Sequence, residues 1–167
     1  MKTLFLMRHA QAEWENPEIS DYDRQLTEQG RLQAEQMAQR LYAQQTRLDV
    51  IYTSPAMRTL DTAKVMAEQF QIAEHHIIIE QQIYQAQVHD LLAVLAEIEE
   101  THENALIVGH NPSISDTVSY LCNQPSTRLP PAAIIGMQID KPSWLTASHE
   151  NNIAKQYLLL TSENQGS

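Results

Sequence analysis

The chain has 167 residues, 43% of them hydrophobic, which is enough for one normal buried core. Its 21 acidic residues outnumber its 11 Lys and Arg residues, and the net charge of −10 argues against binding to nucleic acid or an anionic membrane. A single cysteine excludes an intrachain disulfide, and no apolar run is long enough for a signal peptide or a membrane span, so we expect a cytoplasmic protein.

Apolar runs predict six strands, and helical patterns lie between the earlier ones. The predicted strands are Thr3–Met7, Asp49–Thr53, His76–Ile79, Ala105–Val108, Ala132–Ile139 and Gln156–Leu160. This alternation predicts an α/β fold with a mainly parallel sheet of about six strands, covered on both faces. No clear helix separates the last two strands, so we expect them to pair antiparallel near an edge.

Four helices are predicted from their apolar stripes and their capping residues. Thr27 is the predicted N-cap of the first, and Ser54, followed by Pro55, that of the second. Apolar residues between Leu91 and Ile98 indicate the third helix, and the fourth runs from Ser113 to Leu121. We expect one domain over residues 1–161 and a flexible tail over residues 162–167.

Arginine and histidine side chains follow three of the predicted strands. Arg8 and His9 come after the first strand, Arg58 lies in the first turn of the helix after the second, and His110 follows the fourth. The carboxyl ends of parallel strands lie along one edge of a sheet, so we expect these side chains to meet over one crevice. Two arginines and two histidines near helix N-termini predict a site for a dianion such as phosphate.

His9 is the candidate nucleophile of this site. Neighbouring arginines disfavour a proton on its ring, and a neutral imidazole nitrogen can attack phosphorus and carry the phosphoryl group. Cations around the equatorial oxygens would stabilise the transition state, and water would then release phosphate. This scheme requires no metal and no other cofactor.

These motifs resemble those of the histidine phosphatase superfamily, and the resemblance runs from Lys2 to about Leu160. The matching segments are Arg8-His9-Ala10, Ser54-Pro55 with Arg58, and Gly109-His110-Asn111-Pro112; residues 23–30 and 83–86 resemble its small branch, the SixA-type phosphohistidine phosphatases. The resemblance implies a three-layer α/β/α sandwich. It also implies His9 as the phosphorylated nucleophile and Arg8, Arg58 and His110 as phosphate ligands.

Three further residues are candidate substrate contacts. Arg24 aligns with an arginine of the small branch that faces the phosphate, the alternative being an ion pair with a local acid such as Asp21. Asn111 either contacts substrate or caps the fourth helix. Glu80 is the nearest candidate for a proton donor, and its alternative role is a solvated strand end.

The leaving group decides between the candidate functions. Larger relatives carry an acidic proton donor, but the register of Glu80 against Tyr84 does not match theirs. Without such an acid an alkoxide is hard to expel, whereas imidazole, with a reference pKa of about 6.5, leaves more easily. We therefore predict a metal-independent phosphatase that acts on a phosphohistidine-bearing protein.

Two alternatives stay open: a phosphomonoesterase acting on a small phosphorylated metabolite, and a non-catalytic module that binds a phospho-ligand. A pure binder need not keep His9, which argues against the second. We expect a monomer with no nucleic-acid or membrane partner.

Overall fold

The computed structural model describes residues 1–162, and its centre is one six-stranded sheet. The strands are β1 (Lys2–Arg8), β2 (Val50–Thr53), β3 (Ile77–Ile79), β4 (Asn104–Gly109), β5 (Ile134–Ile139) and β6 (Ala154–Leu160). Their order across the sheet is β3-β2-β4-β1-β5-β6. Strands β1 to β4 run parallel, and β5 pairs antiparallel with both β1 and β6. The predicted mainly parallel sheet with an antiparallel pair at one edge is confirmed.

Helices cover both faces of the sheet, so the predicted three-layer α/β/α arrangement is also confirmed. The helices are α1 (Glu28–Ala43), α2 (Met57–Phe70), α3 (Val88–Glu97), α4 (Ser113–Cys122) and the short α5 (Trp144–Ala147). Phe5 and Met7 of β1 pack in the apolar cluster under α1 and α2. Leu4 and Leu6 pack in the opposite cluster with α3, α4 and α5. Burial on both faces explains why the central strands are almost continuously apolar.

The predicted cap of α1 is confirmed, whereas the predicted cap of α2 is wrong. The Gly30 amide donates to Thr27 Oγ1 at 2.9 Å, as expected for an N-cap. Helix α2 begins at Met57 with Ala56 as its N-cap, because the Ala56 carbonyl accepts the first helical hydrogen bond. The Ser54 hydroxyl lies too early in the chain to cap this helix and instead contacts His110.

Asn111 does not have the capping role that was its alternative to substrate contact. The N-cap of α4 is Pro112, and the Asn111 side-chain amide donates to the Leu129 carbonyl at 2.7 Å. The connection between β5 and β6 contains α5, a single turn that carries the fully buried Trp144. One turn is too short to produce the repeating apolar stripe by which longer helices are predicted.

The loop that follows His9 is held together at its ends. Residues 11–13 pair with residues 25–27, through the Ala12–Leu26 bridge and the hydrogen bonds beside it, so the ends of the loop over residues 14–24 are held together.

The domain limit at residue 161 stays a prediction: Ser162 accepts a hydrogen bond from Gln33, and residues 163–167 of the predicted tail lie outside the described residues. Within residues 1–162, no helix has the length and hydropathy needed to cross a membrane.

Candidate active site

The sheet brings the predicted strand-end residues together. β1 and β4 are neighbours, with Arg8 opposite Gly109, and the His9 amide donates to the Gly109 carbonyl at 3.1 Å. The ring centres of His9 and His110 are 5.4 Å apart. Arg58 enters from the first turn of α2 and is close enough to act electrostatically on both imidazoles. The four side chains therefore surround one point at the carboxyl edge of the sheet, as topology requires.

His9 is buried and neutral. Its Nδ1 lies 2.7 Å from the Ala10 carbonyl oxygen, and since a carbonyl only accepts, we assign the proton to Nδ1. Burial is the largest cause that lowers the pKa of His9 to about 3, while the hydrogen bond to Ala10 acts in the opposite direction. The nearby His110, Arg58 and Arg8 lower it further. The Nε2 lone pair is therefore available near neutral pH, as a nucleophile requires.

His110 is the second neutral imidazole of the site. Its Nε2 lies 2.9 Å from the Ser54 hydroxyl, which fixes the ring at the end of β4. Burial and the charge of Arg58 lower the pKa of His110 to about 4, although Asp21 acts in the opposite direction. A neutral imidazole with one N–H can donate a hydrogen bond to a phosphate oxygen without itself carrying charge.

Arg58 is held rigidly although it is charged. Its side chain is almost fully buried, Nη1 donates to the Asp21 carbonyl at 2.7 Å, and Nη2 donates to Asp21 Oδ2 at 3.0 Å. Its partner Asp21 lies on a different segment of the chain, whereas an arginine on an exposed helix usually pairs with an acid of the same helix surface. A buried guanidinium with a fixed orientation is suited to bidentate contact with a phosphate.

Arg8 presents an unused donor. Its Nη1 donates to the Leu129 carbonyl at 2.8 Å, the same oxygen that accepts from Asn111. Among the residues that the structure describes, Arg8 Nε is one of three buried side-chain polar atoms without a hydrogen-bond partner. A buried N–H without a partner is costly, and an anion bound beside it would remove this cost. In this arrangement Asn111 orients the carbonyl that holds Arg8.

Asp21 is the residue of the site that the sequence reasoning did not assign to it. Oδ1 accepts from Arg24 Nη1 at 2.9 Å, and Oδ2 accepts from both Arg58 and the Tyr84 hydroxyl. Partial burial favours a higher pKa for Asp21, but hydrogen bonds from Tyr84, Arg24 and Arg58 lower it well below its usual range. The group is therefore an ionised carboxylate beside two predicted phosphate ligands.

Arg24 makes the ion pair that was its alternative role, and it lies at the site as well. Besides Asp21 it contacts the Glu13 carbonyl with both Nε and Nη2, at 3.0 and 2.9 Å. The spacing of Asp21 and Arg24 is the one signal in the sequence that could have indicated a carboxylate here. The contact between Asp21 and Arg58 carries no such signal, because it joins a loop to a helix far along the chain.

Glu80 does not join this cluster. Burial, together with the charge of Glu97 and a hydrogen bond to it, raises the pKa of Glu80, and its other side-chain contact is with Gln82. Within residues 1–162, these contacts do not link Glu80 to His9, Arg58 or Asp21.

An open cleft of about 520 Å³ adjoins the cluster at Asp21. Tyr22 and Tyr84, whose ring centres are 4.3 Å apart, stack beside it. The lining residues are Glu15, Asn16, Pro17, Ile19, Asp21, Arg24, Tyr84 and Gln85. Among the described residues, no group of three or more His, Cys, Asp or Glu side chains has an arrangement that could hold a metal ion.

Comparison with known proteins identifies the family. The model of the histidine phosphatase superfamily (branch 1) matches residues 4–85, which include Arg8, His9, Arg24 and Arg58. The fold over nearly the whole chain matches solved SixA structures. Residues 4–85, about half of the chain, thus match the histidine phosphatase superfamily, and the fold is of the SixA type.

Two SixA structures illustrate the likeness of fold. The SixA protein of Agrobacterium tumefaciens is 23% identical, with a TM-score of 0.79, and the match covers 96% of this chain and 98% of that one. The protein histidine phosphatase SixA complexed with tungstate is 20% identical, with a TM-score of 0.81 and coverage of 95% and 96%.

A curated relative resembles part of the sequence more strongly. Phosphoserine phosphatase 1 of Hydrogenobacter thermophilus is 46% identical over 72 residues, which are 41% of this chain and 32% of that protein. The chain thus matches about a third of this relative's length.

Proposed function

We propose that this protein is a phosphatase that hydrolyses phosphohistidine on another protein, with His9 as the transient phosphoryl acceptor. The observation that carries this proposal is the environment of His9: a buried, neutral imidazole whose Nε2 is unprotonated and whose pKa is lowered by the nearby charges of Arg58 and Arg8. A nucleophile of this kind requires both a free lone pair and nearby positive charge.

In the proposed mechanism, His9 Nε2 attacks phosphorus while the leaving group departs on the opposite side. Arg8 and Arg58 compensate the charge on the equatorial oxygens, and His110 donates a further hydrogen bond. Water then attacks the phosphorylated His9, releasing phosphate and restoring the neutral ring. These residues supply the charge compensation themselves, so we propose a metal-independent reaction that needs no cofactor.

The proposed roles of the other candidates follow from their contacts. Arg24 lies at the cleft and would contact the substrate at the outer side of the phosphate. Asn111 was a candidate substrate ligand; its amide is bound to the Leu129 carbonyl, which supports a role in positioning Arg8. A phosphate oxygen would then accept a hydrogen bond from the unpaired Nε–H of Arg8.

The preference for phosphohistidine over phosphate esters rests on the lack of a suitable acid in this cluster. Two carboxyl groups line the cleft, those of Glu15 and Asp21. Asp21, the one that contacts Arg58, is ionised and has no proton to give, and Glu80 is engaged with Glu97. An alkoxide leaving group depends on such a proton, whereas an imidazole leaving group does not.

A phosphomonoesterase acting on a small phosphorylated metabolite is the second candidate. The partial match to a protein named phosphoserine phosphatase favours it. In this case Glu80 is the candidate proton donor, since its raised pKa keeps it partly protonated at higher pH than an ordinary glutamate.

One experiment separates the two candidates. Turnover of a histidine-phosphorylated protein is compared with turnover of phosphoserine and p-nitrophenyl phosphate, in the presence of a chelator. We expect a higher kcat/KM for phosphohistidine, and a higher kcat/KM for the esters would contradict the proposal. Glu80→Gln extends the test: an unchanged phosphohistidine rate with a collapsed ester rate would identify Glu80 as an acid specific for esters.

We also propose that the protein acts as a monomer in the cytoplasm, without nucleic-acid or membrane partners. The net charge of −10 and the single cysteine support this. Sedimentation analysis of the full chain tests the monomer.

A further inference from the structure

We propose that Asp21 is a specificity-determining residue that accepts a hydrogen bond from the protonated imidazole of a phosphohistidine substrate. Asp21 would thereby favour phosphoryl donors whose leaving group carries a protonated, cationic ring before transfer over phosphate esters. This inference rests on the proposed phosphohistidine phosphatase function and assigns the selection of its leaving group to one side chain.

The position of Asp21 is the first argument. Its Oδ2 is 3.0 Å from Arg58, a predicted phosphate ligand, and its side chain is 41% exposed and lines the open cleft. Asp21 therefore lies between the phosphate-binding residues and the solvent. A leaving group that extends from a phosphate bound at Arg58 toward this cleft would pass the carboxylate.

The second argument is that Asp21 retains an acceptor position. A carboxylate offers about four lone-pair directions. The described contacts use one on Oδ1, with Arg24, and two on Oδ2, with Arg58 and Tyr84. Because Oδ1 has one described donor and the side chain is partly exposed, a further N–H can approach it from the cleft.

The third argument is the charge of the group. Asp21 is faced by Arg24 from its own turn, by Arg58 from α2, by Tyr84 from the loop before α3 and by His110 from the end of β4. The donors among them hold the carboxylate ionised. It can therefore accept a hydrogen bond from a further N–H, but it cannot act as a proton donor.

The chemistry of the leaving group completes the argument. In phosphohistidine one ring nitrogen carries the phosphoryl group and the other can bind a proton. When His9 Nε2 forms its bond to phosphorus, the substrate's N–P bond breaks and its electron pair returns to the ring. The ring therefore departs as neutral imidazole with the proton it already carried, and the enzyme donates none in this step. Asp21 would stabilise the protonated ring by a charge-assisted hydrogen bond.

For an ester the same carboxylate is unfavourable. The departing oxygen gains negative charge and requires a proton, and an ionised Asp21 repels the charge without supplying the proton. The same side chain would thus favour one class of substrate and disfavour the other.

The test compares Asp21→Asn with wild type on a phosphohistidine peptide and on p-nitrophenyl phosphate. We expect kcat/KM for phosphohistidine to fall about ten- to hundredfold, which is the scale of one charge-assisted hydrogen bond. The ester rate should fall less, because weaker support for Arg58 affects both substrates whereas loss of the charge affects only phosphohistidine. Asp21→Glu, which keeps the charge, should recover part of the phosphohistidine rate.

A pH profile distinguishes this role from a purely structural one. For wild type, kcat/KM for phosphohistidine should fall with rising pH as the substrate ring loses its proton. The midpoint of this fall should lie above the ring pKa measured for the free peptide. In Asp21→Asn the midpoint should move to lower pH. His9 and His110 do not contribute in this range, because their pKa values are about 3 and about 4.

Asp23→Asn is the matched control, since this exposed neighbour binds only Ser20 in the described contacts and should leave both rates unchanged. Equal losses on both substrates for Asp21→Asn would make Asp21 a structural support for Arg58 and overturn the inference. If Asp21→Asn fails to fold, the pH profile of wild type alone tests the inference. A midpoint of the fall in kcat/KM at or below the ring pKa of the free peptide would overturn it. No phosphohistidine turnover by wild type would instead refute the proposed function itself.

Discussion

The two ends of the candidate active site differ in burial, charge and support. The inner end consists of Arg8, His9, Arg58 and His110, which project from strand ends and from the first turn of a helix. The outer end consists of Asp21, Arg24 and Tyr84, on loops that border the cleft. His9 and Arg58 are 8% and 6% exposed, whereas the Asp21 side chain is 41% exposed.

This difference separates two tasks. The inner end is fixed by the hydrogen bonds of the sheet and is suited to the part of the substrate that every phosphoryl donor shares. The outer end is carried by loops, which vary more readily than the elements they connect. On the proposed function, chemistry at phosphorus would therefore take place at the sheet edge and recognition of the leaving group at the loops.

The largest expected effect is at the centre of the inner end. His9→Ala should abolish turnover of every phosphoryl donor, because no nucleophile remains, and the chain should still fold. Incubation with labelled substrate should give an acid-labile phosphoenzyme for wild type and none for the variant. His89→Ala, at a ring that is 74% exposed, is the control and should keep full activity. Turnover near the wild-type rate in His9→Ala would contradict the covalent mechanism.

The second prediction compares one arginine from each end, both of which bind Asp21. Arg58→Ala should lower kcat by about a hundred- to a thousandfold, which is typical of removing one donor to the transition state. Arg24→Ala should act mainly on KM, because Arg24 lies at the cleft and is more exposed. Steady-state kinetics on the same substrate measures both. Equal losses in kcat would mean that the two ends are not distinct.

The inner end could be predicted from the sequence because it follows from regular structure. Arg8, His9 and His110 come directly after apolar runs, and parallel strands bring such positions to one edge. The same regularity does not extend to Asp21, which begins a single 3-10 turn (Asp21–Asp23) and whose contact with Arg58 depends on the path of the loop around that turn. The helix after Ser54 begins later than the capping pattern predicts: the Ser54 hydroxyl accepts from the Ala56 amide before the helix starts, and it also contacts His110, a tertiary contact that local capping rules do not include.

The third prediction tests how the outer loop is attached to the core. A Cβ added at Gly30 would lie 2.0 Å from the Gln11 carbonyl oxygen, so Gly30→Ala must displace the segment that follows His9. We expect a loss of about 1–3 kcal/mol in the free energy of unfolding, the usual range for overpacking. Gln29→Ala, at the exposed neighbouring position, is the control for urea unfolding. Unchanged stability in Gly30→Ala would show that the loop moves freely against α1.

The last prediction is a pH dependence of stability that separates the two ends. The unfolded chain binds protons at its histidines below a pH of about 6.5. Folded His9 and His110, with pKa values of about 3 and about 4, do not, so stability should fall as the pH is lowered from about 6.5 to about 4. Asp21, whose pKa is also lowered, adds a further loss only below its unfolded pKa of about 3.9.

Urea unfolding at a series of pH values measures the loss of stability in both pH ranges, the one set by the histidines and the more acidic one set by Asp21. His9→Gln and His110→Gln should each flatten the slope between pH of about 6.5 and about 4, whereas Asp21→Asn should flatten only the more acidic part. His89→Gln, at an exposed ring, should leave the whole curve unchanged. A slope that persists when both inner histidines are replaced would mean that burial of these rings is not what makes folding sensitive to acid.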